Sequence, residues 1–149
     1  LYDSPCNLFV AGFIGSPQMN FVDATCKVVG EKVYLVAGPS EIELPAAKGK
    51  KLIDGGYDGK TVVLGIRPED VHDEPEFLAK SPNTVIEATI RVYEMLGAEV
   101  YLYFDYEGAN MTARVDPRTT ARTGDTVKFA LDADKIHVFD KETEETITN

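Results

Sequence analysis

The sequence has little of what many functional classes require. Its 149 residues include no tryptophan, two cysteines, two histidines, and 15 Lys and Arg residues against 25 Asp and Glu. Cys6 and Cys26 are too few and too isolated for a disulfide framework or a zinc cluster, and a reducing cytosol is the default. The net charge of −10 repels phosphate backbones, which argues against a nucleic-acid partner and favours a protein partner. No apolar run approaches the roughly 20 residues of a membrane-spanning helix.

The common catalytic motifs are also missing. Residues 54–61 approach a phosphate-binding loop, but Asp54 replaces the first glycine and Thr61 opens a β-branched run where a helix would be needed. We therefore predict a turn that leads into a strand. His72 and His137 have no partner at ligand spacing, so ordinary structural roles are favoured over metal binding. No serine lies in a nucleophile-elbow setting, and no pair of carboxylates stands out as an acid and base.

The dominant hydrophobic period is two residues, which indicates β-strands. Strands are predicted near residues 22–28, 33–37, 42–44, 86–92, 100–106, 111–115, 127–131 and 136–139, and a short continuous apolar run at 61–66 predicts a strand buried on both faces. Glycines at 97, 108 and 124 mark turns between the later strands. Many short strands at even spacing predict a β-sandwich or a small barrel.

Four segments do not follow the strand pattern. A short helix is predicted after the caps at residues 3–5, and Gly15 can close it. This helix either packs on the domain's own core or connects to a missing domain. Residues 46–60 are expected to be a polar excursion, residues 72–83 a polar loop and internal boundary, and residues 140–149 a frayed polar tail. Because the chain starts at Leu1 without a methionine, we expect it to be a piece of a longer protein.

Two further features have open interpretations. Residues 67–69, Arg-Pro-Glu, are predicted to form a rigid corner after the buried strand, because proline also restrains the residue before it. A charge contact with a neighbouring chain is the less favoured alternative. Tyr93, Tyr101 and Tyr103 either form an interaction surface or act as cross-strand pairs that cover a sheet.

Four segments carry a resemblance to a known family. They are FVAGFIGSPQMNF at residues 9–21, LGIRPED at 64–70, VYEMLGAE at 92–99 and IHVFD at 136–140. In this order they resemble the hallmark segments that follow the nucleotide-binding domain in ATP-binding subunits of bacterial carbohydrate-importing ABC transporters, of the maltose and multiple-sugar importer type.

The resemblance implies a mainly β, C-terminal regulatory domain built of OB-like β-barrel units of the TOBE type, with a short N-terminal connector helix. It implies a connector from a missing nucleotide-binding domain at residues 1–18 and a polar tail at 140–149. The regulatory domain between them, residues 19–139, would comprise two interleaved β blocks at about 19–71 and 84–139. ATP and Mg²⁺ would belong to the missing domain, so no catalytic, cofactor or metal site is expected here, nor ATP hydrolysis by this chain alone.

The implied partners are the protein's own nucleotide-binding domain, a second copy of the subunit, the membrane-spanning permease subunits and, in some members, a regulatory protein. The implied location is cytoplasmic, peripheral at the inner face of the bacterial plasma membrane. Candidate interface or regulatory residues are Phe13, Met19, Phe21, Arg67, Glu69, Glu94 and Phe139. The alternative is a small-ligand sensor of OB type, in which several arginines would converge on an oxyanion or another effector; the available arginines are Arg67, Arg91, Arg114, Arg118 and Arg122.

Overall fold

The computed structural model describes Asn7 and residues 18–149. Strands dominate this part of the chain, which confirms the predicted mainly β class. The elements are β1 Asn20–Val29, β2 Lys32–Ala37, β3 Ser40–Glu43, α1 Ala46–Asp54, β4 Thr61–Ile66, β5 Val71–His72, α2 Pro75–Lys80, β6 Val85–Leu96, β7 Glu99–Tyr106, β8 Ala109–Val115, β9 Thr126–Leu131, β10 His137–Asp140 and β11 Thr146–Thr148. The predicted connector helix lies outside the described residues except for Asn7 and residue 18.

The strands form two antiparallel sheets. The first sheet has the order β11-β10-β4-β1-β2-β3, and the second has the order β5-β9-β6-β7-β8. The chain passes between the sheets twice, first through a 3-10 turn at Pro68–Asp70 and then through another at Ala133–Lys135. The last strands therefore return to the first sheet, where β10 pairs with β4.

The inner faces of both sheets contribute to one hydrophobic core. Because side chains alternate across a strand, every second residue points into this core. At its centre the rings of Phe104 and Phe129 stack with centroids 4.6 Å apart, and both side chains are fully buried. Burial of this apolar surface is the main source of the fold's stability.

Two buried polar contacts connect the sheets. The Asn20 side-chain amide donates to the carbonyl of Thr112 at 2.8 Å, and its oxygen accepts from the Thr112 backbone N–H at 2.8 Å. The Tyr106 hydroxyl donates to the carbonyl of Ala37 at 2.6 Å. These bonds satisfy polar groups that would otherwise be costly to bury. The Asn20 bonds fix β1 against β8, and the Tyr106 bond fixes β7 against β2.

Two of the segments expected to be irregular contain helices. In the polar excursion at 46–60, helix α1 starts after Pro45 and buries Leu52 against the core. The loop expected at 72–83 is wrong for Pro75–Lys80, which form helix α2 with proline in its first turn. Proline is well suited to that position because its missing N–H would have no helical partner there.

The prediction of a frayed tail is also wrong. Strand β11 pairs with β10, and Thr148 is buried. The turn between them is organised by Asp140, whose carboxylate accepts hydrogen bonds from the backbone N–H groups of Glu142 and Thr143, each at 2.8 Å. The Tyr57 hydroxyl donates to the same carboxylate at 2.7 Å. A polar sequence here forms a strand because its polar groups have partners.

Asp140→Ala is expected to release β11 and to change the acid response of the protein. The Thr143 N–H and the Tyr57 hydroxyl, which bond the ionised carboxylate, lower the pKa of Asp140 below its ordinary 3.8. The ionised group thus stabilises the fold above pH 3.8, and this contribution disappears as pH falls through the lowered pKa. We expect faster amide hydrogen exchange at residues 146–148 in the variant. We also expect the variant to lose less stability than the wild type when the pH falls below 3.8. Asp54→Ala removes an exposed surface ion pair and should change neither the exchange at residues 146–148 nor the acid response. Equal exchange rates in the two variants would contradict the role of Asp140.

Candidate functional site

Three of the predicted interface residues meet on the outer face of the first sheet. Met19, Val63 and Phe139 form a small apolar cluster that is separate from the main core, and Phe21 packs against it. We call these four residues the outer-face cluster. The rings of Phe21 and Phe139 lie edge to face, with centroids 6.0 Å apart. This arrangement follows from the register, in which neighbouring positions of β1, β4 and β10 place alternate side chains away from the core.

Gly65 makes room for this cluster. A Cβ atom at this position of β4 would lie 2.8 Å from Met19 Sδ, 2.9 Å from Phe139 Cε2 and 3.4 Å from Phe21 Cε1. The first two distances are shorter than van der Waals contact. The glycine in the LGIRPED segment is therefore required by the close approach of the cluster side chains.

Arg67 and Glu69 occupy the corner after β4, as predicted. Arg67 is buried, and its extended backbone leads into the 3-10 turn, where the Asp70 N–H donates to the Arg67 carbonyl at 2.9 Å. Both residues line a hollow that also contains His137 and Asn149. The His137 Nδ1 atom lies 2.9 Å from Asn149 Oδ1, so the end of the chain is part of this corner.

Glu94 lies on a different surface, the outer side of the β6–β7 hairpin. Strand pairing places Val92 opposite Tyr103, Glu94 opposite Tyr101 and Leu96 opposite Glu99 on one face. We call these six residues the hairpin face. Val92 is 44% exposed and Leu96 is 50% exposed. Large apolar side chains this exposed, next to tyrosines, are typical of an interaction surface.

The pairing of β6 with β7 gives the tyrosines cross-strand partners, which is one of the two roles left open by the sequence. Tyr103 donates to Glu94 Oε1 on the neighbouring strand β6 at 2.8 Å, and Tyr101 donates to Glu99 Oε2 on its own strand β7 at 3.4 Å, so of these two hydroxyls it is that of Tyr103 that connects the strands. Tyr93 is covered on one side by the Arg122 guanidinium, 4.7 Å from the ring centroid. The rings of Tyr101 and Tyr103 are partly exposed.

The arginines considered for an oxyanion site are largely engaged elsewhere. Arg91 lies 4.0 Å from Asp105, Arg114 lies 3.2 Å from Glu99, and Arg118 lies 3.0 Å from Asp116. Arg114 and Arg118 do share an open hollow of about 530 Å³, but Glu69, Glu74, Glu99 and Asp116 also line it. Carboxylates outnumber the arginines there, so the hollow does not favour an anion.

A group of metal-capable side chains lies where the chain passes between the sheets. Asp70, His72 and Asp132 place one donor atom each within 4.8 Å of one another. Burial, followed by the charges of Glu69 and Asp132, raises the pKa of Asp70 to about 6. Nothing in the sequence pointed to this group, because Asp132 is distant in the chain and approaches His72 only through the pairing of β5 with β9.

Of the remaining predictions, Phe13 lies outside the described residues, and the turn expected at 54–61 is confirmed. That turn follows α1 and enters β4 through backbone bonds from Gly59 N–H to the Cys26 carbonyl and from Cys26 N–H to the Lys60 carbonyl. Within the described part of the chain, no helix is long and apolar enough to cross a membrane.

Two small antiparallel sheets around one core, with an apolar outer-face cluster and an exposed hairpin face, define an OB-like β domain. Residues 15–71 match the MalK OB fold domain, and residues 64–139 match the TOBE domain. The chain belongs to the TOBE domain family. The resemblance to sugar-importing ATP-binding subunits that the sequence indicated is confirmed by this match and by the relatives below.

Similar proteins include the oligosaccharides import ATP-binding protein MsmX of Bacillus subtilis (strain 168), with 41% identity over 97% of this chain and 38% of that protein. The multiple sugar-binding transport ATP-binding protein MsmK of Streptococcus mutans is 38% identical over 99% of the chain and 38% of the relative. The trehalose/maltose import ATP-binding protein MalK of Thermococcus litoralis is 36% identical over 99% and 39%. The chain thus spans about two fifths of the length of these relatives.

Among solved structures, the chain is similar to the cytoplasmic molybdate-binding protein ModG, with a TM-score of 0.58 and 14% identity. The match covers 80% of this chain and 94% of the ModG chain. At this level of identity the likeness concerns the fold alone.

Proposed function

We propose that this chain is the C-terminal regulatory and dimerisation domain of the ATP-binding subunit of a sugar ABC importer. The observation that carries the proposal is the coverage of the relatives: sugar-import ATP-binding proteins match 97–99% of the chain, while the chain accounts for only 38–39% of their length. The two family matches follow one another along the chain, which supports a MalK-like arrangement.

In this proposal the nucleotide-binding domain, with its ATP and Mg²⁺, lies outside these residues, and the chain supports sugar uptake without hydrolysing ATP itself. The permease subunits would be contacted through the full subunit, at the inner face of the bacterial plasma membrane. The coding sequence upstream of Leu1 should then specify an ABC-type ATP-binding domain, and the purified 149-residue chain should release no phosphate from ATP. ATP hydrolysis by the chain alone would contradict the proposal that catalysis belongs to the nucleotide-binding domain.

The outer-face cluster is proposed to hold the connector from the protein's own nucleotide-binding domain. Met19, Val63 and Phe139 are at most 5% exposed in this chain, and Phe21 is the member of the cluster that remains partly exposed. Met19 and Phe21 come directly after the segment that, according to the resemblance, connects the two domains. Arg67 and Glu69 form the corner that follows β4. An apolar cluster at the point where the chain enters the domain would fix the orientation of the connector.

The hairpin face is proposed as the contact with a second copy of the subunit. It combines exposed apolar side chains with both signs of charge: Glu99 pairs with Arg114 of the neighbouring strand β8, and Glu94 lies on the other side of Tyr101 from Arg114. A surface that carries both charge signs is able to complement itself across a two-fold axis. A rigid β domain paired in this way would keep two ATPase domains tethered when they separate, so that reassociation stays effectively intramolecular.

Leu96→Glu tests this contact. Placing a charge at this exposed apolar position at the end of β6 is expected to weaken self-association of the chain at least tenfold, because burying an unpaired carboxylate in the contact is costly. Sedimentation equilibrium over a wide concentration range, extending to about millimolar protein, is the measurement. Val29→Glu is the matched control, since Val29 is also exposed, at 52%, but lies at the end of β1. A wild-type chain that stays monomeric, or equal weakening by both variants, would exclude the hairpin face.

A further inference from the structure

We propose that Asp70, His72 and Asp132 form a binding site for a divalent transition-metal cation of the Zn²⁺ type. The three side chains each contribute one donor atom, and these atoms lie within 4.8 Å of one another. Three ligands around a cation at about 2.1 Å are at most about 4.2 Å apart, so small rotations of the side chains would complete the site. The inference concerns this chain's own residues and does not depend on the proposed transport function.

The imidazole is held in an orientation suited to a ligand. Glu74 Oε2 lies 3.1 Å from His72 Nδ1, and the ring stacks on Phe77 with centroids 3.9 Å apart. With Nδ1 engaged by a carboxylate, the nitrogen left for a cation is Nε2. A carboxylate on the far side of a ligating histidine fixes its tautomer and increases its basicity, which is the usual outer-shell arrangement of metal-bound imidazole.

The two carboxylates are fixed by the backbone on either side of them. The Asp132 N–H donates to the Asp70 carbonyl at 3.0 Å, and the adjacent pair Val71 and Leu131 is in β register. Asp132 also accepts from the Asp134 N–H at 3.2 Å, which orients its side chain at the start of the 3-10 turn. All three donors are thus attached to ordered backbone rather than to a loose loop, and they are partly buried.

The local charge favours a cation. Glu69 and Asp132 both act on Asp70 as like charges, while Lys135 and His72 act on it in the opposite direction. A bound divalent ion would remove the repulsion between the carboxylates. One imidazole with two carboxylates suits Zn²⁺ or Mn²⁺ better than Mg²⁺, which prefers oxygen ligands alone, and three protein ligands leave the remaining positions to water.

The position of the site gives it a structural consequence. Asp70 lies in the first connection between the sheets, and Asp132 lies at the start of the second. A cation held by both would join the two connections, and its binding to the folded state alone would stabilise the arrangement of the two sheets.

The test is a titration of the tag-free, chelator-treated 149-residue chain with ZnCl₂, MnCl₂ or MgCl₂, followed by calorimetry and by the thermal unfolding midpoint. We expect one Zn²⁺ per chain, a higher midpoint with Zn²⁺, and weaker or no binding of Mg²⁺. His72→Gln and Asp132→Asn should each weaken Zn²⁺ binding at least tenfold. Glu74→Gln should weaken it less, because Glu74 acts through His72.

His137→Gln and Asp134→Asn are the matched controls, one for the other histidine and one for a carboxylate of the same 3-10 turn. Both should bind Zn²⁺ within about twofold of the wild type. Circular dichroism of every variant without metal shows whether the fold is retained, and the conservative Asp132→Asn replacement keeps the side-chain oxygen that accepts from Asp134. Stoichiometry other than one, equal weakening by His72→Gln and His137→Gln, or no Zn²⁺ binding below millimolar concentration would overturn the proposal.

Discussion

Phe104→Ala is expected to lower the free energy of unfolding by about 3–5 kcal/mol, the range for removing a large aromatic side chain from a packed core. Phe104 is fully buried and stacks on Phe129, so the substitution removes apolar burial and an aromatic pair and leaves a cavity between the sheets. Because most small domains have only 5–15 kcal/mol of stability, a large part of the total would be lost. Urea unfolding followed by circular dichroism measures the change.

Val29→Ala provides the comparison for Phe104→Ala. This side chain is 52% exposed at the end of β1, so its truncation should alter stability by no more than about 0.5 kcal/mol. If Phe104→Ala cost less than about 1 kcal/mol, the stacked rings could not be at the centre of a shared core.

Gly65→Val is expected to destabilise the domain by about 1–3 kcal/mol through overpacking. The cause is steric, since the added Cβ alone would lie within 2.9 Å of Met19 Sδ and Phe139 Cε2. Valine is otherwise favoured in strands, so β propensity alone predicts the opposite sign. The same urea titration gives the measurement.

A double substitution separates crowding from any other effect at this glycine. Met19→Ala removes one of the two groups that a valine at position 65 would meet, so the double variant should lose less than the sum of the single variants. Thr61→Val places the same residue at an exposed position of the same strand and should be nearly neutral. Strict additivity of Gly65→Val and Met19→Ala would show that the outer-face cluster does not crowd Gly65.

Most strands were predictable because one face of each is buried and the other is not. Alternating burial along β1 and β7 is the same pattern that is visible in their sequences. The continuous apolar run of β4 also has a visible cause, since its inner side chains reach the core while Val63 joins the outer-face cluster. Periodicity therefore predicted both the class of fold and most of the strand positions.

The helices and the last strand were missed because local signals for them are weak. Helix α1 has no side-chain N-cap and contains one large buried apolar residue, Leu52. Helix α2 buries no residue among its six. Strand β11 depends on Asp140 and Tyr57, which are far apart in sequence. In each case tertiary contacts decide the structure, and a single sequence does not display them.

For the candidate sites, too, the sequence predicted some residues and missed others. The segment resemblance brought attention to Met19, Phe21 and Phe139, and the structure places these three together. It also suggested Glu94, which belongs to the separate hairpin face. The group of Asp70, His72 and Asp132 gave no signal, because ligand spacing is readable from sequence only when the ligands are close along the chain or follow a known motif.

The return of β10 to the first sheet has a consequence for synthesis of the protein. One edge of β4 is paired with β10. While the ribosome is still synthesising the strands of the second sheet, the backbone N–H and C=O groups at this edge of β4 are therefore unpaired. Such an edge is a template for pairing with other nascent chains. A transcript truncated after the codon for Leu131 should therefore yield an aggregation-prone product rather than a smaller folded domain.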